Sequence, residues 1–265
     1  MNRITKTFNE LQHKGQKALI AFVTGGDPDI QTTEKLILAM EEAGVDIVEI
    51  GIPFSDPIAE GIVIQGASKR ALDGGCTVDK LFSMVKRLRE KTDMPLLFMT
   101  YANPIYGYGK ERFMANCRDT GVDGIIVPDI PFEEKDEFEK ECIHFGINQI
   151  SLIAPTSGER VEKIATEARG FLYCVSSLGV TGVRSEISTS IAELISRVKK
   201  VSSIPCAIGF GISTPKQAYD MAEISDGIIV GSAIVKIVAE YGKDSEYHVK
   251  NFLSELKKAI RVSEN

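Results

Sequence analysis

Eight short apolar, β-branched runs, each followed by a longer stretch with helical spacing, constrain this chain more than any other feature. They begin as ALIAFVT at 18, DIVEIGI at 46, PLLFMTY at 95, DGIIVP at 123, NQISLIA at 148, GFLYCVS at 170, IPCAIGF at 204 and SDGIIVG at 225. Between the first two, Leu36, Ile37, Met40 and Ala43 recur at three- and four-residue spacing, the period of a helix with one buried face. Continuous apolar strands alternating with such helices predict a parallel sheet covered by helices on its outer side. Eight units predict an α/β protein, a closed (β/α)8 barrel of the TIM type, and 265 residues suit one such domain over 1–265.

The competing architecture is an open, doubly wound sheet. That fold usually carries a Gly-rich fingerprint after its first strand, and TGGDP at 24–28 is not GxGxxG. Ahead of the first strand, Ile4, Phe8 and Leu11 share one helical face, which predicts an extra N-terminal helix plugging the bottom of the barrel. A short extra helix is expected after strand eight, from AIVKIVAE at 233.

The formal charge of −6 argues against a surface built to neutralise a phosphate backbone. No apolar run approaches the roughly 20 residues that span a bilayer, and the first residues, MNRITKTFNELQHKG, are polar, so the expected location is the cytoplasm. The five cysteines, Cys76, Cys117, Cys142, Cys174 and Cys206, show no metal-ligand spacing, and none of His13, His144 and His248 ends an apolar strand. No metal is expected, and the chemistry falls to carboxylates.

In a barrel of this kind the active face is built from strand C-terminal ends and the loops after them. Those positions are Thr24, Glu49, Tyr101, Asp129, Ala154, Tyr173, Phe210 and Ser232, with no lysine or histidine among them. An aldol-type cleavage at such a site would need its electron sink in the substrate. Strand alternation puts Glu49 on the same face as Ile47 and Gly51, so it can point into the barrel mouth as a proton-transfer group. An equally weighted reading makes Glu49 a buried acid held by a neighbouring hydroxyl or amide. Asp56 and Glu60 lie in a loop where solvated or capping acids are common, and Asp129 reads as a cap for the helix that follows it.

Three Gly-rich loops follow strands six, seven and eight: GVTG at 179–182, GFGIS at 209–213 and VGSAIV at 230–235. Each offers backbone amides with little side-chain obstruction, Ser232 adds a hydroxyl donor, and the helix from 233 offers its N-terminus, which together predict a phosphate cradle. Phe22, Tyr101, Tyr173 and Phe210 make the rest of the mouth aromatic, suited to a ring-bearing substrate with a phosphate tail. Packing within the core is the plainer alternative for Phe22 and Phe210.

EIGIPFSDP at 49–57 with Gln65 beyond it, TYANPI at 100–105, VPDIP at 127–131, GVTGVR at 179–184 and GFGIS resemble, in order, the tryptophan synthase alpha chain family. The resemblance implies retro-aldol cleavage of indole-3-glycerol phosphate to indole and glyceraldehyde 3-phosphate. Protonation of the ring at C3 would supply the electron sink. It implies Glu49 and Glu60 as catalytic groups, Phe22, Tyr101, Tyr173, Thr181 and Phe210 around the substrate, and Gly182, Gly211, Gly231 and Ser232 on its phosphate. Pro53, Asp56 and Pro57 would touch a tryptophan synthase beta chain in an alpha2beta2 complex. No cofactor is implied for this chain, the pyridoxal phosphate belonging to the beta partner.

One segment departs from the family pattern. Where DPLADGP is commonest, this chain has DPIAEGI, with Glu60 for aspartate and Ile62 for proline. The carboxylate of Glu60 therefore reaches one bond further, ~1.5 Å, from the backbone. A free-standing lyase that releases indole, and a barrel that binds a phosphate ligand mainly to regulate its partner, are the two other readings; partner-independent turnover would identify the first and absence of turnover the second.

Overall fold

A computed structural model of the chain describes residues 2–175, 184–209 and 211–261. Its sheet is parallel throughout, with β1 at Ala18–Thr24, β2 at Ile47–Gly51, β3 at Leu96–Met99 and β4 at Gly124–Ile126. Then come β5 at Asn148–Gln149, β6 at Ser151–Ile153, β7 at Leu172–Val175, β8 at Cys206–Gly209 and β9 at Gly227–Val230. The spatial order is β5-β4-β3-β2-β1-β9-β8-β7-β6.

The count of nine, against eight apolar runs, has a local cause. β5 and β6 are the two halves of one segment, and they form the two ends of the sheet. Asn148 and Gln149 pair with β4, the Ile150 N–H still donates to the Ile125 carbonyl at 2.9 Å, and from Ser151 onward the partner is β7. The backbone thus changes partner across Ile150, and the strands occupy eight positions around the barrel.

Alternate strand residues divide between two cores, as period-two geometry requires. Leu19, Ala21, Val23, Val48 and Ile50 face outward into the helical layer, where they meet Leu36, Ile37 and Met40 of helix Ile30–Glu42. Ala18, Ile20, Ile47, Leu97, Ile126, Ile150, Ala207 and Ile229 face inward. Each isoleucine or leucine fully buried in this way contributes roughly 2 kcal/mol.

The inner cluster is completed from below by Ile4, Phe8 and Leu11 of helix Arg3–His13, with the Phe8 and Phe171 rings 5.6 Å apart. Asn2 starts this helix, its side chain accepting from the Ile4 N–H at 2.9 Å while its amide donates to the Asp123 carbonyl at 2.9 Å. Arg3 pairs with Asp123 at 3.1 Å. The plug is therefore fastened by polar contacts as well as by its apolar face. At the same end, Lys257 of helix Ser245–Ile260 donates to Asp46, which also accepts from the Leu19 N–H, so the C-terminal helix is tied to the start of β2.

Helix Ser232–Tyr241 stands between β9 and helix Ser245–Ile260 as the additional element expected after the last strand, with Gly231 at its cap position. Among the described residues no helix is long and apolar enough to cross a membrane.

Candidate active site

Glu49 sits in the middle of β2, in register with Phe22 of β1 and Leu97 of β3. It is 0% exposed, and among the described residues neither carboxyl oxygen has a hydrogen-bond partner. No hydroxyl or amide among those residues holds it, which favours the proton-transfer reading. Burial alone pushes its pKa up to about 8, so the carboxyl is protonated at neutral pH. An unpartnered buried acid is costly in free energy and is the kind of group found where proton transfer is needed.

The room around Glu49 is set by glycines. A Cβ on Gly51 would stand 2.6 Å from Cζ of Phe22, so the ring of Phe22 occupies the space over the end of β2. A Cβ on Gly209 would stand 2.6 Å from Cε1 of Tyr173, whose ring lies across the end of β8 in the same way. Tyr173 is electrostatically coupled to Glu49: burial first, and then the Glu49 charge, hold its phenol well above the usual value.

Above these groups opens a cavity of about 220 Å³. Phe22, Tyr173, Met99 and Ile229 form its apolar side, Ala59, Glu60 and Gly61 of the loop after β2 and Ile64 of helix Ile62–Asp73 close it, and Gly209, Gly211, Gly231 and Ser232 form its third side. The walls therefore bring together Glu60, Phe22 and Tyr173 with three of the four residues expected at phosphate. Glu49 itself is enclosed and is not a wall residue. A larger cavity of about 700 Å³ lies at the other end, between helix Arg3–His13 and residues such as Lys17, Lys199 and Pro205, away from the strand C-terminal ends.

The phosphate side has the local geometry of an anion site. Gly211 takes a φ of +59°, which L side chains rarely adopt, and a Cβ on Gly231 would press on Phe22 at 3.3 Å. Ser232 opens helix Ser232–Tyr241, whose first amides have no carbonyl partner within the helix and point toward the cavity end of the element. Thr181, Gly182 and Phe210 lie outside the described residues.

Glu60 is half-buried, and among the described residues its Oε2 has no hydrogen-bond partner. Burial raises its pKa, and the nearby Tyr101 hydroxyl acts in the opposite sense. Tyr101 is not a wall of the cavity. Its hydroxyl accepts from the Ala59 N–H at 3.0 Å, and its ring lies 5.5 Å from that of Phe54. In the same loop Pro53 is buried, Asp56 is exposed, and Pro57 lies between the two states. Ile58 and Ile62 are 78% and 85% exposed, unusual values for isoleucine.

Asp129 corrects one expectation. Both of its carboxyl oxygens accept from the Ala102 N–H at 3.1 Å, so it caps helix Ala102–Tyr108 in the neighbouring unit rather than the helix that follows it. The sequence reading also passed over Met99, Ile64 and Ile229. Met99 and Ile229 carried a signal, since each lies an even number of residues from an inward-facing position on its strand. Ile64 carried none, because the turn of helix that presents it is placed by tertiary packing.

All five cysteines are buried free thiols, and among the described residues no group of three or more His, Cys, Asp or Glu could hold a metal ion.

The sequence model of the family described as "Tryptophan synthase alpha chain" matches residues 8–262. The "Tryptophan synthase alpha chain" of Thermoanaerobacter sp. (strain X514) is 48% identical over 262 residues, covering 98% of this chain and 100% of the relative. That of Geobacter sulfurreducens is 46% identical over 266 residues, covering 98% and 99%. The crystal structure of tryptophan synthase alpha chain from Legionella pneumophila subsp. pneumophila superposes with a TM-score of 0.90 at 36% identity, covering 98% of this chain and 97% of that one. The tryptophan synthase complex from Pyrococcus furiosus gives 0.82 at 37%, covering 91% and 98%. With likeness of sequence and structure running nearly end to end, and an enclosed acid under an aromatic cavity that ends on a helix N-terminus, the chain belongs to the tryptophan synthase alpha chain family.

Proposed function

We propose that the mouth of this barrel cleaves indole-3-glycerol phosphate to indole and glyceraldehyde 3-phosphate, with Glu49 as the proton-transfer residue and Glu60 as the charge beside the ring nitrogen. The observation that carries this reading is Glu49 fully enclosed, with no hydrogen-bond partner among the described residues, beneath an aromatic cavity that ends on a helix N-terminus; its burial pushes its pKa up to about 8. A carboxyl in that state can give a proton at neutral pH and take one back.

The step balances on this chain's own residues. Glu49 delivers its proton to C3 of the indole, which makes the ring an iminium-like electron sink. The bond from C3 to the glycerol carbon then breaks, its electron pair returning to the ring. As that carbon becomes a carbonyl, its hydroxyl proton passes to the Glu49 carboxylate. Glu60, as the carboxylate, stabilises the positive charge that gathers at the ring N–H.

Phe22 and Tyr173 hold the ring plane, with Thr181 and Phe210 assigned beside them by sequence, while Tyr101 stands behind the cavity wall. Gly211, Gly231 and Ser232, with Gly182, hold the phosphate. The whole chain acts as one barrel domain, in the cytoplasm. It is a carbon–carbon lyase and the alpha partner of a beta chain, which carries the pyridoxal phosphate. Asp56 and Pro57 belong to the surface that meets this partner, on the loop that the buried Pro53 begins, and the exposure of Ile58 and Ile62 beside them supports that use.

The test is indole release from indole-3-glycerol phosphate, measured with and without the beta chain. Partner-dependent turnover that falls by about a hundredfold or more in Glu49→Gln is expected for loss of an acid–base group. Absence of turnover in the wild-type complex would favour a regulatory barrel, and full turnover without the beta chain a free-standing lyase.

A further inference from the structure

Glu60 lies on a loop, yet the backbone on both sides of it is held by side chains from two other places in the fold. On one side, the Ala59 N–H donates to the Tyr101 hydroxyl at 3.0 Å. On the other, the Gln65 side-chain amide donates to the Glu60 carbonyl at 2.7 Å. Tyr101 follows β3, and Gln65 lies in the first turns of helix Ile62–Asp73.

Tyr101 is itself immobilised. It is 2% exposed, its ring lies against that of Phe54, and its backbone forms the N-terminus of helix Ala102–Tyr108, where Asp129 accepts from the next amide. It is not a wall of the cavity that Glu60 closes. We infer that Tyr101 and Gln65 are positioning residues for the indole cleavage, holding the Ile58–Ala59 and Glu60–Gly61 peptides so that the longer side chain of Glu60 reaches over the ring.

The physical need comes from the extra methylene. A glutamate has one more rotatable bond than an aspartate, and its placement is useful only if the backbone it hangs from is fixed. Ile62 is 85% exposed and leaves the entry to the helix without the conformational lock a proline would give. Two side-chain hydrogen bonds supply that lock from outside the loop.

This inference rests on the role proposed above for Glu60, and the test separates the two. Steady-state indole release is measured for the complex with its beta chain, using wild type, Tyr101→Phe, Gln65→Met, Glu60→Gln, and each of the first two combined with Glu60→Gln. Tyr101→Phe keeps the ring against Phe54, and Gln65 is exposed, so both variants keep the packing of the barrel.

The clamp predicts that each single variant lowers kcat by about tenfold, with KM within about twofold of wild type. It also predicts that neither change lowers kcat further in the Glu60→Gln background, because both act through that carboxyl. A rise in KM at unchanged kcat, or losses that multiply with Glu60→Gln, would make Tyr101 a direct substrate contact and overturn the proposal. Full activity in Glu60→Gln alone would remove the role of Glu60, and the clamp with it. Full activity in Tyr101→Phe and Gln65→Met beside an impaired Glu60→Gln would remove only the clamp.

Discussion

Glu49 of β2 is the register partner of Phe22 in β1, and the ring of Phe22 fills the volume that a side chain at Gly51 would need. Adjacent parallel strands thus place an acid and an aromatic ring side by side inside the barrel, while a glycine two residues on keeps the ring from being displaced. Among the described residues the acid has no hydrogen-bond partner, and its burial gives both stability and activity a dependence on pH.

Glu49 should make the fold less stable as pH rises. Its folded pKa of about 8 lies above the ordinary 4.5, so between those values the folded chain keeps a proton that the unfolded chain has released. The contribution is complete below the lower value and is lost as pH rises through the upper one. Glu49→Gln, which cannot ionise, should melt at a higher temperature than wild type at about pH 9, by roughly 10 °C, and near the wild-type value at about pH 5. Calorimetric melts at the two pH values check this.

The same group should limit activity on the alkaline side. For a residue that must begin the cycle protonated, kcat/KM reports the ionisation of the free enzyme. The profile for indole release should therefore fall above about pH 8. Rates across the alkaline range, checked for reversibility by returning samples to neutral pH, measure it.

Gly51→Ala should damage substrate binding and stability together. The new Cβ would lie 2.6 Å from Cζ and 2.9 Å from Cε2 of Phe22, so the ring must move into the cavity. Overpacking of this kind costs about 1 to 3 kcal/mol. A urea melt should show that loss, and KM for indole-3-glycerol phosphate should rise severalfold.

Arg70→Met should loosen the loop after β1 from the helix after β2. The Asp27 carboxylate is 1% exposed and accepts from Arg70 Nε at 2.8 Å and Nη2 at 2.7 Å. Removing the arginine leaves a buried charge alone. Because the Arg70 side chain is 41% exposed, water can replace part of what is lost, and the expected cost is about 1 to 3 kcal/mol. Urea unfolding of the variant checks the figure, and combining it with Asp27→Asn should recover part of the loss.

What was legible before the structure follows from how local each signal is. The strands were readable because burial on both faces demands continuous apolar runs, and the N-terminal plug because Ile4, Phe8 and Leu11 repeat with the helical period. Glu49 stood out because a carboxylate in such a run is costly. The cap at Ala102 was not readable, since Asp129 reaches it across 27 residues of sequence. Tyr101 was read as a substrate contact, whereas its hydroxyl is engaged by the backbone of another loop.

The sequence by itself determined the number of units, the inward and outward faces of each strand, and the end of the barrel where acids, aromatic rings and glycines collect. These depend on residue type and period, and neighbouring residues carry both. Tertiary structure alone decided which partner each half of the segment across Ile150 takes, that Glu49 is fully enclosed, and which side chains hold the backbone around Glu60. Those outcomes depend on distances between residues far apart in the chain. Such distances exist only once the sheet has closed and its loops have been brought side by side.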